Sequence, residues 1–486
     1  MSYVIVYVDV SDKKYFVSAL EFFLIVSAYY SPKILRSARK ININHSESSL
    51  NISFWKIFII TLSILLIIYI ARYPGSFSPD SVNQYKQAVT ENFNDHHPVL
   101  HTLFAFYLPL KLFNGWLGSI FLFQILFFAV SISYTFSVII KYSAPKKFII
   151  LIYLYIILNP FTHSIITYPW KDVSFSITAM LAITFNAEIY LTRGEWLKNL
   201  FNAILYILII SACTIFRHNA ILFTLPLFFI LPYFVNKRFV ILLFAAFLSV
   251  IFLIRYPVYE KLNVKFPTGR VVEITGLPLS IIGSAVVRNP EKLSNEVLNF
   301  AHRILSQDMW EKNFKFKDGY NSTKWRGANN KFIEQAGWQK VLNVMFKCFI
   351  QAPKASLMGL LGLTDLVFGI LGPSEGAFSS GIIENDQGIE YHGIKILNRI
   401  MNFYNKLIIA FIKYPFWSIG FINLVILIFL LAKFTFKKFI FVLPLYMYNF
   451  GTMLLLTGND IRFFYCSFLV MPIILFIILR DEEAIS

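Results

Sequence analysis

The sequence has little charge: Asp, Glu, Lys and Arg make up 15% of its 486 residues, against 57% hydrophobic ones. A chain so poor in ionisable side chains does not suit an ordinary soluble domain, and several of its apolar runs approach or exceed bilayer-spanning length. Acidic residues are scarcer still, 27 against 44 basic ones, for a formal net charge of +17. In a soluble chain that excess would point to nucleic acid. Here the cations lie mainly in short loops between apolar runs, as topology signals do, so a nucleic-acid partner is discounted. Cysteine is also scarce: Cys213, Cys348 and Cys466 are widely separated and fit neither a metal spacing nor a disulfide framework. No internal repeat and no convincing cleavable signal stand out. The apolar stretch Tyr15 to Tyr30 carries Glu21 and runs into the basic Lys33 to Lys40 segment, which reads as an interfacial helix in preference to an extra span.

What the chain does have is apolar runs, near Trp55 to Ala71, Leu117 to Ile140, Phe148 to Ile166, Val173 to Leu191, Leu200 to Phe216, Ala220 to Phe234 and Val240 to Ile254. Three more lie near the end: Phe416 to Leu431, Ile440 to Leu456 and Phe463 to Leu479. They predict an all-α integral membrane protein with about 10 to 13 transmembrane helices and external loop helices. The stretch Leu200 to Phe234 is too long for one span and reads as a hairpin turning at Arg217-His218-Asn219. Four segments follow: an N-terminal cytoplasmic or interfacial piece over 1–52, a transmembrane module over 53–254 with an external loop at 73–116, an external region over 255–414, and closing transmembrane helices over 415–486. Val99 to Phe113 reads as a partly buried external helix, and Ala355 to Leu371, which holds Asp365 and three glycines, as a re-entrant or surface helix. The stretch Gly372 to Gly388, with Glu375, reads as a flexible loop.

Orientation follows from the short loops. Lys141, Lys146, Lys147, Arg193, Lys198, Lys237, Arg238, Lys433, Lys437 and Lys438 mark one side as cytoplasmic. The opposite short loops carry one cation each, Lys171, Arg217 and Arg462, so the chemically suggestive residues collect on the extracytoplasmic face.

The first external loop, Pro74 to Leu103, is polar and acid-bearing. Asp80 sits in its Ser-Phe-Ser-Pro-Asp-Ser turn as a candidate catalytic carboxylate, with a helix cap as the competing explanation. His96, His97 and Pro98 suit a structural or substrate-positioning role better than a metal site, because adjacent histidines rarely offer both rings to one ion. Lys171-Asp172 opens a span: Lys171 there could snorkel or help bind an anion, and Asp172 could cap the helix. Arg217 lies between apolar runs and needs an anion, either a protein carboxylate or a lipid phosphate. Arg462 repeats the arrangement, with Asp460 as its local partner.

Asp80, His97-Pro98, Lys171-Asp172, Arg217 and Arg462, in that order and on one side, resemble the pattern of the GT-C superfamily of membrane glycosyltransferases. The likeness spans most of the transmembrane chain as scattered short motifs and is strongest to bacterial members related to the protein-mannosyltransferase and lipid A aminoarabinose transferase groups. The chain differs in its lone Asp80 and in His-His-Pro, which leaves a divalent metal as an open option. The resemblance implies a GT-C-like helical bundle in the cell membrane that moves a sugar from a polyprenyl-phosphate donor to a cell-envelope glycan, lipid or protein, with inversion. Asp80 would be its general base, and Lys171, Asp172, Arg217, His218, Arg462 and His97 would bind substrate or phosphate. A polysaccharide polymerase or ligase acting on lipid-linked oligosaccharides is the alternative enzyme, and a lipid-linked-sugar flippase the alternative transporter.

Overall fold

The computed structural model describes residues 32–41, 52–266, 270–370, 381–412, 415–455 and 460–480. The Tyr15 to Tyr30 stretch and Glu375 of the expected flexible loop lie outside them. Every regular element among the described residues is a helix, and β pairing is confined to isolated bridges.

One helix organises the rest. Lys171–Leu191 is buried along its whole length after its first residue, and it packs against Gly118–Lys141, Leu200–Phe216 and Tyr465–Leu479. Its 21 residues rise about 31 Å, close to the roughly 30 Å hydrocarbon core of a bilayer. Ser176, Thr178 and Thr184 are accommodated in this apolar interior because their hydroxyls bond back to carbonyls one turn earlier, as Ser176 does to Asp172 at 2.6 Å. Peripheral helices are apolar on their outer faces instead: Phe54–Ala71 exposes Trp55, Ile59, Ile60, Ile67 and Ile70, and Lys237–Leu253 buries only Leu243 and Phe247. A helix whose exposed side is apolar is stable in lipid, not water.

Five described helices are long and apolar enough to cross a membrane: Phe54–Ala71, Gly118–Lys141, Lys171–Leu191, Lys237–Lys261 and Ile461–Leu479. Other apolar runs are shorter because local chemistry interrupts them. The expected single span over 148–166 breaks at Asn159-Pro160: Lys146–Ile157 ends, and the Asn159 side chain caps a new helix, Pro160–Ile165, by accepting from the Phe161 N–H at 2.9 Å. The run over 200–234 breaks between Phe216 and Ile221, at the Arg217-His218-Asn219 turn.

A second, smaller core lies in the 255–414 region, where Gly276–Arg288, Asn295–Ile304, Gln307–Asn313 and Asn330–Gln351 enclose the fully buried Trp310 and Tyr320. The run expected to be re-entrant or superficial forms Pro353–Phe368, which joins this core to the main bundle through Gly276–Arg288 on one side and Ile419–Ala432 on the other. Gly359 permits the close approach: a Cβ there would lie 2.8 Å from the Ile281 Cα.

The bundle has two chemically distinct ends. At the Leu191 end, buried Glu188 pairs with Lys141 at 3.2 Å and accepts from the Tyr142 hydroxyl at 2.7 Å. Arg480 and Lys438 there donate to backbone carbonyls of Tyr142 and Ile478. At the Lys171 end stands the cluster described next.

Candidate functional site

The helix Pro79–Thr90 begins with Ser78 as its cap, whose hydroxyl accepts from the Ser81 N–H at 3.4 Å, and Pro79 follows in the first turn. The cap position is therefore filled, and the Asp80 side chain is left for other partners. Its Oδ2 lies 3.2 Å from Arg462 Nη1, and its Oδ1 lies 3.8 Å from His97 Nε2. The second distance is too long for a hydrogen bond, so Oδ1 keeps a lone pair for an incoming hydroxyl.

His97 is fixed from both sides. The loop before it is pinned where Asp95 accepts from the Tyr259 hydroxyl at 2.8 Å. Gln84 ties the Asp80 helix to the following one by donating to His101 Nδ1 and Thr102 Oγ1, both at 2.9 Å. Lys171 Nζ donates to His97 Nδ1 at 3.1 Å, which places the imidazole proton on Nε2, facing Asp80. Burial, reinforced by the Lys171 charge, holds the His97 imidazole below its ordinary range and keeps it neutral. Its one free lone pair is engaged by Lys171, so the His96-His97 pair offers no chelating arrangement. Among the described residues no group of three or more His, Cys, Asp or Glu could hold a metal ion.

Asp172 does not cap its helix, and Lys171 does not snorkel. Trp170 occupies the cap position without a side-chain cap bond, Lys171 turns its ammonium to His97, and Asp172 is a buried counter-ion. One Asp172 oxygen pairs with Arg217 Nη1, and the other lies 3.8 Å from Arg462 Nε. Arg217 thus has a protein carboxylate where sequence alone left a lipid phosphate equally open. Its Nε donates to Asn219 at 2.6 Å, and Asn219 donates on to Thr452 at 2.8 Å. Phe463 packs beneath the guanidinium at 4.7 Å. His218 is exposed at the same turn.

Arg462 is the hub, touching Asp80, Asp172 and, at 2.9 Å, Asp460. Its guanidinium lies over the Trp170 ring at 4.7 Å, and Trp170 Nε1 donates to Ser78 Oγ at 2.7 Å. The Trp170 contacts escape sequence reasoning. Its position beside Lys171 in Tyr-Pro-Trp-Lys-Asp is the only signal the sequence offers.

Asp80, Asp172 and Asp460 balance Lys171, Arg217 and Arg462, so the cluster is neutral as it stands. Access separates its members: the Asp80 side chain is 34% exposed and Asp172 only 2%. Burial by itself raises the Asp80 carboxyl, yet the charges of Arg462 and Lys171 outweigh it and hold the group below the usual carboxylate range. The arrangement presents one accessible, ionised carboxylate beside two cations, Lys171 and Arg462, which can attract an anion. No family model, curated protein or solved structure matches the chain.

Proposed function

We propose that the protein is a membrane glycosyltransferase with a GT-C-like bundle of about 10 to 13 spans, shorter helices completing the five long ones. It moves a sugar from a polyprenyl-phosphate donor to a cell-envelope acceptor at the extracytoplasmic face. The observation that carries the reading is the meeting of Asp80 with Arg462 and the His97–Lys171 pair at one end of the bundle, from four separate stretches of chain. The positive-inside pattern puts the Glu188 end, with Lys141, Lys433 and Lys438, in the cytoplasm, and so the Asp80 end outside.

Asp80 Oδ1 takes the proton of an acceptor hydroxyl as that oxygen attacks the anomeric carbon. The bond from that carbon to the phosphate oxygen breaks, its electron pair leaves with polyprenyl phosphate, and the anomeric configuration inverts. Lys171 and Arg462 stabilise the departing phosphate. Arg217 and Asp172 hold Arg462 in place from the buried side and are positioning residues in this scheme. Neutral His97 keeps the Lys171 ammonium directed toward the site and presents Nε2–H to Asp80.

The test compares envelope glycans of cells carrying the wild-type protein, no protein, or Asp80→Asn. Loss of one sugar substituent is expected in the last two, with Asp80→Asn protein present at wild-type level in the membrane. Normal glycans in the Asp80→Asn strain would remove Asp80 from catalysis, and loss of whole polymers would favour a polymerase.

A further inference from the structure

A cavity of about 520 Å³ opens beside the Asp80 cluster without including it, a volume within the range of small-molecule sites. Its walls come from Arg72 and Ser76 after the first long helix, from the 381–391 segment, and from Asn398 and Asn402 of the helix Lys395–Ile412. The 381–391 wall is fastened by backbone bonds: Phe77 N–H to the Gly381 carbonyl, Ile383 N–H to the Phe77 carbonyl, both 3.0 Å, and His392 N–H to the Tyr73 carbonyl at 2.9 Å. Ser76 in turn donates its N–H to the Thr167 carbonyl at 2.9 Å. Cavity and candidate catalytic residue thus stand on one rigid strip of chain, Ser76 four positions before Asp80.

Arg72 gives the cavity its chemistry. It is 4% exposed; its Nη2 donates to Asn402 Oδ1 at 3.2 Å, and its Nε has no hydrogen-bond partner. Among the described residues no carboxylate forms an ion pair with it, although Glu384 and Glu390 line the same cavity. In the cluster next door, buried Arg217 and half-buried Arg462 each pair with an aspartate. A buried guanidinium held only by a neutral amide is costly unless an anion completes it. Apart from Arg72 and the two exposed glutamates, the polar lining is neutral, with Ser76, Asn385, Asn398, Asn402 and Tyr391 able to meet hydroxyl groups. The helix Lys395–Ile412 turns Ile396, Ile400, Phe403 and Leu407 outward as one stripe, away from the polar residues that line the cavity.

We propose that this cavity is a second ligand site that takes an oxyanion, carboxylate or phosphate, carried on a sugar-sized polar body, with Arg72 as its anchor and Asn402 as its hinge of orientation. Read with the transferase assignment, on which this last step rests, the occupant is an acidic unit of the acceptor glycan, held so that its hydroxyl reaches Asp80.

The test is thermal unfolding of the purified full-length protein in a neutral sugar-free detergent, with glucuronate, glucose 1-phosphate, glucose or phosphatidylglycerol added. Glucuronate or glucose 1-phosphate should raise the wild-type Tm, and glucose should not. Arg72→Gln should lose the response. Asn402→Asp should raise the Tm without ligand and also abolish the response, because it supplies the missing carboxylate beside Nη2; this outcome separates ligand binding from misfolding. Equal shifts with glucose, a response confined to phosphatidylglycerol, or undiminished shifts in both variants would each overturn the proposal. Asp80→Asn should keep the glucuronate response, so a failed catalytic reading and a failed cavity reading give different results.

Discussion

Asp80 and Asp172 occupy the same place in their helices, second in the first turn, and their surroundings set them to different work. Both gain from the positive helix end. Asp80 is open enough to meet a substrate and keeps one oxygen unbonded. Asp172 is sealed between Arg217 and Arg462, where it can only balance charge. Breaking a buried pair by removing one partner costs about 3 to 5 kcal/mol, chiefly from the charge left behind. Asp172→Asn and Arg217→Gln should therefore each lower the Tm clearly in detergent, and the double variant should recover part of the loss; simple additivity would show that the pair is not coupled. Asp80 makes a prediction in pH. A carboxyl held below its ordinary range stays ionised as the pH falls past about 3.9, and its activity is lost only below that. Sugar transfer in membrane vesicles should stay level from neutral pH to below about pH 4. Arg462→Gln removes the strongest lowering charge, leaves burial to raise the group, and should move the acid limb upward. A wild-type acid limb above about pH 5 would contradict the assigned environment.

At the scale of elements, one side chain joins two helices. Trp170 precedes the central helix, donates to Ser78 at the start of the Asp80 helix, and lies under Arg462. Trp170→Phe keeps a ring for the cation and drops the indole donor, so about 1 kcal/mol is expected, a several-fold fall in transfer rate. Trp170→Ala loses both contacts and should cost more than ten-fold; equal effects of the two would assign the role to ring packing alone. Motif order let the sequence nominate stretches that the fold brings together, but Trp170 was not legible as a contact, since nothing local says which helix an indole will reach. The same limit applies to the break at Asn159-Pro160. Hydropathy counts an uninterrupted apolar run over 148–166, whereas a capping amide and a proline end one helix and begin another.

Across the whole molecule, the two ends of the bundle differ in charge, and the proposed function requires the Asp80 end to face outward. His96 is exposed next to the Asp80 cluster, and Lys198 is exposed at the other end. The native cysteines Cys213, Cys348 and Cys466 are buried, so single-cysteine reporters are readable against them. His96→Cys should react with a membrane-impermeant maleimide in intact cells, and Lys198→Cys only after lysis; the opposite pattern would invert the topology and place the cluster in the cytoplasm.

The sequence by itself determined that the chain lives in a membrane, that its helices are long and apolar, and that Asp80, His97, Lys171, Asp172, Arg217 and Arg462 deserve attention. Those properties are local, written in runs of side chains and in the price of isolated charges in lipid. Only the tertiary structure decided who neutralises whom. Arg217 could not be assigned to Asp172, Asp80 could not be released from a capping role, and Arg72 could not be recognised as a buried cation with no ion pair among the described residues, until helices distant in sequence were packed together. Ion pairs act over a few ångströms of space and are indifferent to the hundreds of residues of chain between their partners.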